Sequence, residues 1–192
     1  MRMSESPASA PPFSLAAFTD LLERCQWPLY TFLRGIVGEE EQARDLAQDT
    51  FYDAWRVAQR GLPPFDGAGD EPGMRRWLFH AGYNRAISAL RRRRLIQWLP
   101  LESVTLALSF EEQVAEGQAV RAALASLAPA DAACLLLIVV QGFTAAEAAQ
   151  IIGATPQAVA KRFARAKQRL RAAYLAQNPS AYHSQPETEA RP

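Results

Sequence analysis

The chain has 192 residues, a formal net charge of +1, 49% hydrophobic residues and 21% charged residues. That composition excludes a largely disordered chain and leaves room for one or two small packed domains. It contains no run of about eighteen apolar residues, so no membrane span is expected. The two cysteines, Cys25 and Cys134, form no CxxC or Cys/His cluster, so no zinc-type metal site is expected either. Both lie in apolar helical patterns and read as reduced, half-buried thiols of a cytoplasmic protein.

Residues 1–12 are rich in Ser, Pro and Ala and read as a disordered N-terminus without the apolar stretch of a signal peptide. From Phe13 to about Val37 apolar residues recur at helical spacing (Phe18, Leu21, Leu22, Cys25, Leu29, Phe32, Leu33, Ile36), predicting one or two helices around Pro28. Gly38 marks their end.

A strong helix is predicted over 39–60. Residues 39–53 carry six acids and one arginine. Asp45, Asp49 and Asp53 recur every four residues with Gln48 beside them, opposite a buried side of Leu46, Ala47, Thr50, Phe51 and Ala54. Such a row either solubilises the helix or meets a basic protein partner. No histidine, lysine or Gly-rich loop joins it, which argues against acid–base catalysis.

Residues 61–73 hold four Gly and three Pro and read as a loop. A helix is then predicted from about Met74 to Trp98, ended by Pro100. Residues 75–94 carry seven arginines and no acid. Phe79, Tyr83, Ala86, Ile87 and Leu90 share the core side. Trp77, Asn84, Ser88 and Arg91 share the other, with Arg85 and Arg92 beside them. An indole among amide, hydroxyl and guanidinium groups suits base stacking and phosphate contact. Equally, Trp77 could pack under the next loop, and the arginine run could be a solvated end that complements the helix dipole.

Residues 99–110 read as an interdomain linker. Helices follow over about 111–127, 130–141, 145–152 and 156–176, and a polar tail begins at Asn178. Thr144 and Glu147 form a capping-box pair, Gly153 stands where a left-handed residue ends a helix, and Thr155-Pro156 suits the start of the next. In that last helix Val159, Phe163, Ala166 and Leu170 fall on one arc. Residues 155–171 carry six basic groups and no acid. The layout is a helix-turn-helix whose second helix enters a DNA groove. Thr155, Gln157, Ala158, Lys161 and Arg162 lie near its N-terminus, where base edges are read, while Arg165, Lys167 and Arg169 suit phosphates. The alternative is an amphipathic helix with a solvated basic face. No strand pattern occurs, so the fold class expected is all-α.

In their order, these elements resemble bacterial RNA polymerase sigma factors of the extracytoplasmic-function (ECF, group IV) type. The stretch DLAQDTFYDAWR is similar to the family's region 2.2, WLFHAGYNRAISALRRRR to regions 2.3 and 2.4, and LAPADAACLLLIVVQGFTAAEAAQIIGATPQAVAKRFARAKQRL to region 4. The resemblance implies a region 2-like domain over 13–98, a flexible linker over 99–110, a region 4-like helix-turn-helix domain over 111–176 and a disordered tail over 177–192.

It further implies that Asp45, Gln48, Asp49, Phe51 and Asp53 dock on the polymerase β′ subunit. Trp77, Asn84, Arg85, Ser88, Arg91 and Arg92 would meet the minus-10 element. Thr155, Gln157, Ala158, Lys161, Arg162, Arg165 and Lys167 would meet the minus-35 element, with region 4 also touching the β subunit. The expected function is to bind polymerase core and direct promoter recognition, melting and initiation, without enzymatic activity, cofactor or metal of its own. An anti-sigma factor is a typical partner of the group. Four positions depart from the family pattern. Ser88 stands where Asp is usual, Gln157-Ala158 replace Gly-Thr, and Ala148 replaces Ile. Two other readings are a polymerase-independent regulator using only the helix-turn-helix, and an adaptor that retains the fold to bind a regulator.

Overall fold

The computed structural model describes residues 14–65, 67, 70–97 and 115–177, and every regular element among them is helical. The expected N-terminus, the linker 99–110 and the tail from 178 onward lie outside the described residues.

Helix α1 (Leu15–Val37) starts at Ser14, whose hydroxyl accepts from the N–H of Ala17 at 3.1 Å. It stops at Gly38, whose φ of 81° is a left-handed conformation that glycine adopts without penalty. Pro28 lies within this single helix. The carbonyl of Pro28 accepts both the Thr31 hydroxyl and the side-chain amide of Gln141, more than a hundred residues away. Helix α2 is Glu40–Gln59 and buries Leu46, Ala47, Thr50, Phe51 and Ala54, the side its periodicity foretold. Helix α3 (Glu71–Gln97) starts three residues before the predicted Met74. Asp70 Oδ1 accepts from the N–H of Gly73 at 2.7 Å, an N-cap hidden inside the Gly/Pro-rich segment. A Cβ at position 73 would sit 2.5 Å from that carboxylate oxygen, so a larger residue there would make the Asp70 carboxylate shift.

Among the described residues four further α-helices follow: α4 (Ala115–Ala125), α5 (Pro129–Leu135), α6 (Ala145–Ile152) and α7 (Pro156–Gln177). The helix expected over 130–141 is divided. After Leu135 the chain widens into a π-helical turn, Leu136–Val140. The N–H of Gln141 closes it on the carbonyl of Leu136 at 3.0 Å. The turn buries Leu136 and Leu137 while Val139 and Val140 face outward.

α1, α2 and α3 pack around Leu29, Phe32, Leu33, Leu78 and Phe79, all fully buried. Each such side chain contributes about 1.5–3 kcal/mol by leaving water. This core does not end at the predicted linker. It runs on through Leu136, Leu137, Phe143, Ala148 and Ile151 of the C-terminal half. Phe79 of α3 meets Phe143 edge-on at 5.1 Å. Gly35 of α1 admits Leu136, whose Cδ1 lies 2.6 Å from where a Cβ at position 35 would be. A smaller second cluster (Leu127, Ala132, Leu135, Ala166) holds α7 on α5.

Candidate nucleic-acid and polymerase interface

The acidic row of α2 is presented outward. Asp45, Gln48 and Asp49 are exposed, whereas Phe51 is buried at 9% exposure and anchors the helix beneath them. Asp53 is half-buried. Arg85 of α3 ties the row to the neighbouring helix. Its Nη1 donates to Asp49 Oδ2 at 3.0 Å, its Nε donates to Asp53 Oδ2 at 3.2 Å, and its Nη2 makes a short ion pair with the same oxygen. One guanidinium expected on DNA thus bridges two carboxylates expected on polymerase.

The other residues expected to meet the promoter divide between the fold and solvent. Trp77 is half-buried and sits edge-on to Phe65 of the preceding loop, with ring centroids 5.4 Å apart. Its indole therefore packs on the fold, but against the preceding loop rather than the next one expected. Asn84, Ser88, Arg91 and Arg92 are exposed. Asn84 Nδ2 lies 3.0 Å from His80 Nε2, and His80 Nδ1 lies 2.8 Å from the carbonyl of Ile151. A carbonyl only accepts, so Nδ1 carries the proton and Nε2 accepts from the Asn84 amide.

Arg75, Arg76 and His80 form a clasp that the sequence reading passed over. Arg75 Nη2 donates to the carbonyl of Gln141 at 2.7 Å, and its guanidinium lies 4.1 Å from the centre of the Phe143 ring. Arg76 pairs with Glu147 at 3.4 Å. All three residues stand on α3, and their partners belong to the turn before α6 or to α6 itself. Nothing in the local sequence signals these contacts, because each joins residues about seventy positions apart.

The helix-turn-helix is built as its punctuation predicts. Thr144 caps α6. Glu147 N–H donates to Thr144 Oγ1 at 3.2 Å, and Glu147 Oε2 accepts from the Thr144 N–H at 2.9 Å. Those hydrogen bonds from the Thr144 backbone and hydroxyl, with help from Arg76, hold the Glu147 carboxyl below its usual range. Gly153 ends α6 at φ 71°, and Thr155 Oγ1 accepts from the Ala158 N–H at 3.2 Å to start α7. Val159 and Ala166 are fully buried, with Phe163 and Leu170 partly so. Thr155, Gln157, Lys161, Arg165 and Lys167 are exposed, while Ala158 and Arg162 are half-exposed.

One partner of this helix was not foreseen. Asp131 of α5, only 4% exposed, receives Arg165 through two hydrogen bonds of 3.3 Å, with Arg169 at 3.8 Å. A lone acid in the apolar run ADAACLLL facing a basic helix is the signal that could have found it. Cys134 lies close by, and burial pushes its thiol up to about 11, so it stays protonated as a small apolar side chain.

Residues 117–170 match the family described as Sigma-70, region 4. Over 154 residues the chain is 30% identical to the ECF RNA polymerase sigma factor SigM of Mycobacterium tuberculosis, an alignment covering 80% of this chain and 75% of the relative. The chain belongs to the ECF sigma factor family. Like other members, this sigma factor works with RNA polymerase to direct transcription initiation at promoters.

Its fold is also that of solved ECF structures. The sigma factor RpoE of Bartonella quintana, crystallised with the anti-sigma factor NepR, superposes with a TM-score of 0.65 at 26% identity, covering 83% of this chain and 97% of that one. CnrH, in complex with the cytosolic domain of CnrY, superposes with a TM-score of 0.62 at 26% identity, covering 85% and 90%. Among the described residues of the sigma factor, no helix is long and apolar enough to cross a membrane.

Proposed function

We propose that this sigma factor docks on polymerase core through the exposed carboxylate row of α2, using Asp45, Gln48 and Asp49, with Phe51 and Asp53 fixing the row from beneath. Helix α3 then holds the opened minus-10 strand through Asn84, Ser88, Arg91 and Arg92, joined by Trp77 and Arg85 once they leave their present partners. Stacking and phosphate contacts to the exposed bases offset the cost of opening the duplex. Helix α7 enters the minus-35 groove with Gln157, Ala158, Lys161 and Arg162, while Lys167 and Arg165 meet phosphates. The polymerase supplies the chemistry, in the cytoplasm, and the sigma factor supplies recognition.

The observation that carries this reading is the α7 N-terminus. Thr155 caps it, its apolar arc is buried or partly so, and Gln157 and Lys161 are presented to solvent with Ala158 and Arg162 half-exposed beside them. The region 2-like unit over 13–98 and the region 4-like unit over 111–176 act at separate promoter elements, so engagement parts the two halves and releases the clasp at Arg75, Arg76 and His80.

An anti-sigma partner fits the same reading, because both solved relatives are seen with a regulator bound. The surface suited to it is a groove of about 1970 Å³ between α1, α2 and α4, lined by Trp27, Tyr30, Gln48 and Leu124 among others. An occupant there would cover the docking row.

The test is in vitro transcription with purified bacterial core polymerase and a promoter-fragment library. Specific starts that need the chain support the proposal, and absence of core binding overturns it. With roughly six phosphate contacts, log K for promoter binding should fall with log salt at a slope of about −5.

A further inference from the structure

Where the C-terminal end of α3 meets the α6–α7 turn, the halves enclose a cleft of about 390 Å³. Arg91 and Arg94 of α3 line it from one side and Arg162 of α7 from the other, with Tyr83 and the Gly153–Ala154 turn between them. Among the described residues, no acid lines the cleft. Most other arginines of α3 are already occupied. Arg76 pairs with Glu147, Arg85 with Asp49 and Asp53, and Arg93 with Glu39 at 2.7 Å. The nearest buried acid, Asp131, is taken by Arg165 and Arg169. Among the described residues Arg91, Arg94 and Arg162 have no ion-pair partner.

Bringing three guanidiniums from two halves to one cleft works against closure, since like charges repel at short range. An anion between them reverses that sign. Arginine forks suit phosphate oxygens, and a cavity of this size admits a phosphate chain but not a duplex. Tyr83 adds a hydroxyl donor at the floor. Burial raises its pKa above the usual 10 and outweighs the opposing pull of Arg162 and Arg91, so it stays protonated.

We propose that this cleft binds a small polyphosphate, inorganic or the phosphate chain of a nucleotide, which bridges α3 to α7 and holds the two halves of the sigma factor closed. Arg91 and Arg162 are then withdrawn from promoter DNA, so the ligand competes with promoter engagement. Binding itself does not depend on the promoter assignments.

Calorimetric titration of the full chain with inorganic tripolyphosphate, against sulfate at matched ionic strength, tests the proposal. The expected result is saturable one-to-one binding, weakened roughly tenfold or more by Arg94→Ala and by Arg162→Ala, the scale of one lost charge-assisted bond. Arg171→Ala, elsewhere on α7, should bind as the parent does. If Arg162→Ala fails to fold, Arg162→Lys and Arg91→Ala carry the same comparison. Pyrophosphate, ADP and a thymidine hexanucleotide separate the sources. Tighter binding of the hexanucleotide than of tripolyphosphate through these arginines would assign the cleft to nucleic acid and overturn the proposal. So would unsaturable binding, equal loss in Arg171→Ala, or dependence on the arginines of one half alone.

Discussion

Arg75 of α3 reaches across to the carbonyl of Gln141, 2.7 Å away, and covers the face of Phe143 at 4.1 Å. The carbonyl belongs to the residue that closes the π-helical turn, and the side-chain amide of Gln141 turns back to Pro28 of α1. One guanidinium therefore adds to the shared core that joins the two halves, at the point where α5 leaves regular helix. Arg75→Ala removes a charged hydrogen bond and a cation–π contact, together about 2–4 kcal/mol of interface. The expected outcome is a chain that keeps its helical content by circular dichroism and expands in small-angle scattering. An unchanged radius with unchanged stability would show that the clasp does not hold the halves.

Glu147 serves two masters, capping α6 through Thr144 and pairing with Arg76. Its folded-state pKa is lowered below 4.5. A depressed carboxylate contributes stability that is fully present above its unfolded value and is lost as pH falls through the folded one. The difference in stability between the parent and Glu147→Gln should therefore be constant from neutrality down to about 4.5 and shrink below it. Denaturant melts across that range check this, and a difference that grew on acidification would contradict the assignment.

What was legible in the sequence was local. The cap at Thr144, the left-handed Gly153 and the Thr155 start follow from chemistry within four residues. The buried arcs of α2, α3 and α7 follow from periodicity, and each predicted core residue on them is buried or partly so. What could not be read was pairing at a distance. Arg75 with Gln141, His80 with Ile151 and Arg165 with Asp131 join residues that no spacing rule relates. The same limit explains Trp77 and Arg85. A helical wheel places them on the polar side of α3, and only tertiary structure shows Phe65 and two aspartates waiting there.

Asp131 offers a stability test inside the C-terminal half. It is 4% exposed, and its carboxylate is satisfied by two arginines whose own side chains are 52% and 57% exposed. Solvent screens the arginine side, so the loss on Asp131→Ala should be about 1–3 kcal/mol rather than the larger cost of an orphaned buried charge. The mutation also frees Arg165 and Arg169. If Arg165 meets DNA phosphate, Asp131→Ala should not weaken minus-35 duplex binding once the fraction folded is corrected for. A loss of binding beyond that correction would mean that Asp131 positions Arg165 for DNA.

Gly82 marks a close approach of α3 to α1 in the N-terminal core. A Cβ there would lie 3.0 Å from Leu29 Cδ1 and 3.4 Å from Leu33 Cδ2, both on fully buried leucines of α1. Gly82→Val should cost about 1–3 kcal/mol through overpacking, despite the gain from removing a mid-helix glycine. A thermal melt that rose would show that α1 can move away from α3.

The proposed docking row allows a clean separation of structural from recognition roles. Asp49 is bound to Arg85, whereas Asp45, one turn earlier, is exposed and has no ion-pair partner among the described residues. Asp49→Arg removes one acceptor of Arg85 and places a like charge beside it, so both stability and core affinity should fall. Asp45→Arg disturbs no contact within the fold and should change stability by less than about 0.5 kcal/mol. Its effect on core polymerase should nonetheless be at least roughly tenfold, because a reversed charge meets the same basic surface at close range. Pull-down or fluorescence titration with core enzyme, beside a melt of each variant, separates the two effects. Normal core binding by Asp45→Arg would move the docking surface off this row and leave Asp49 and Asp53 as internal partners of Arg85.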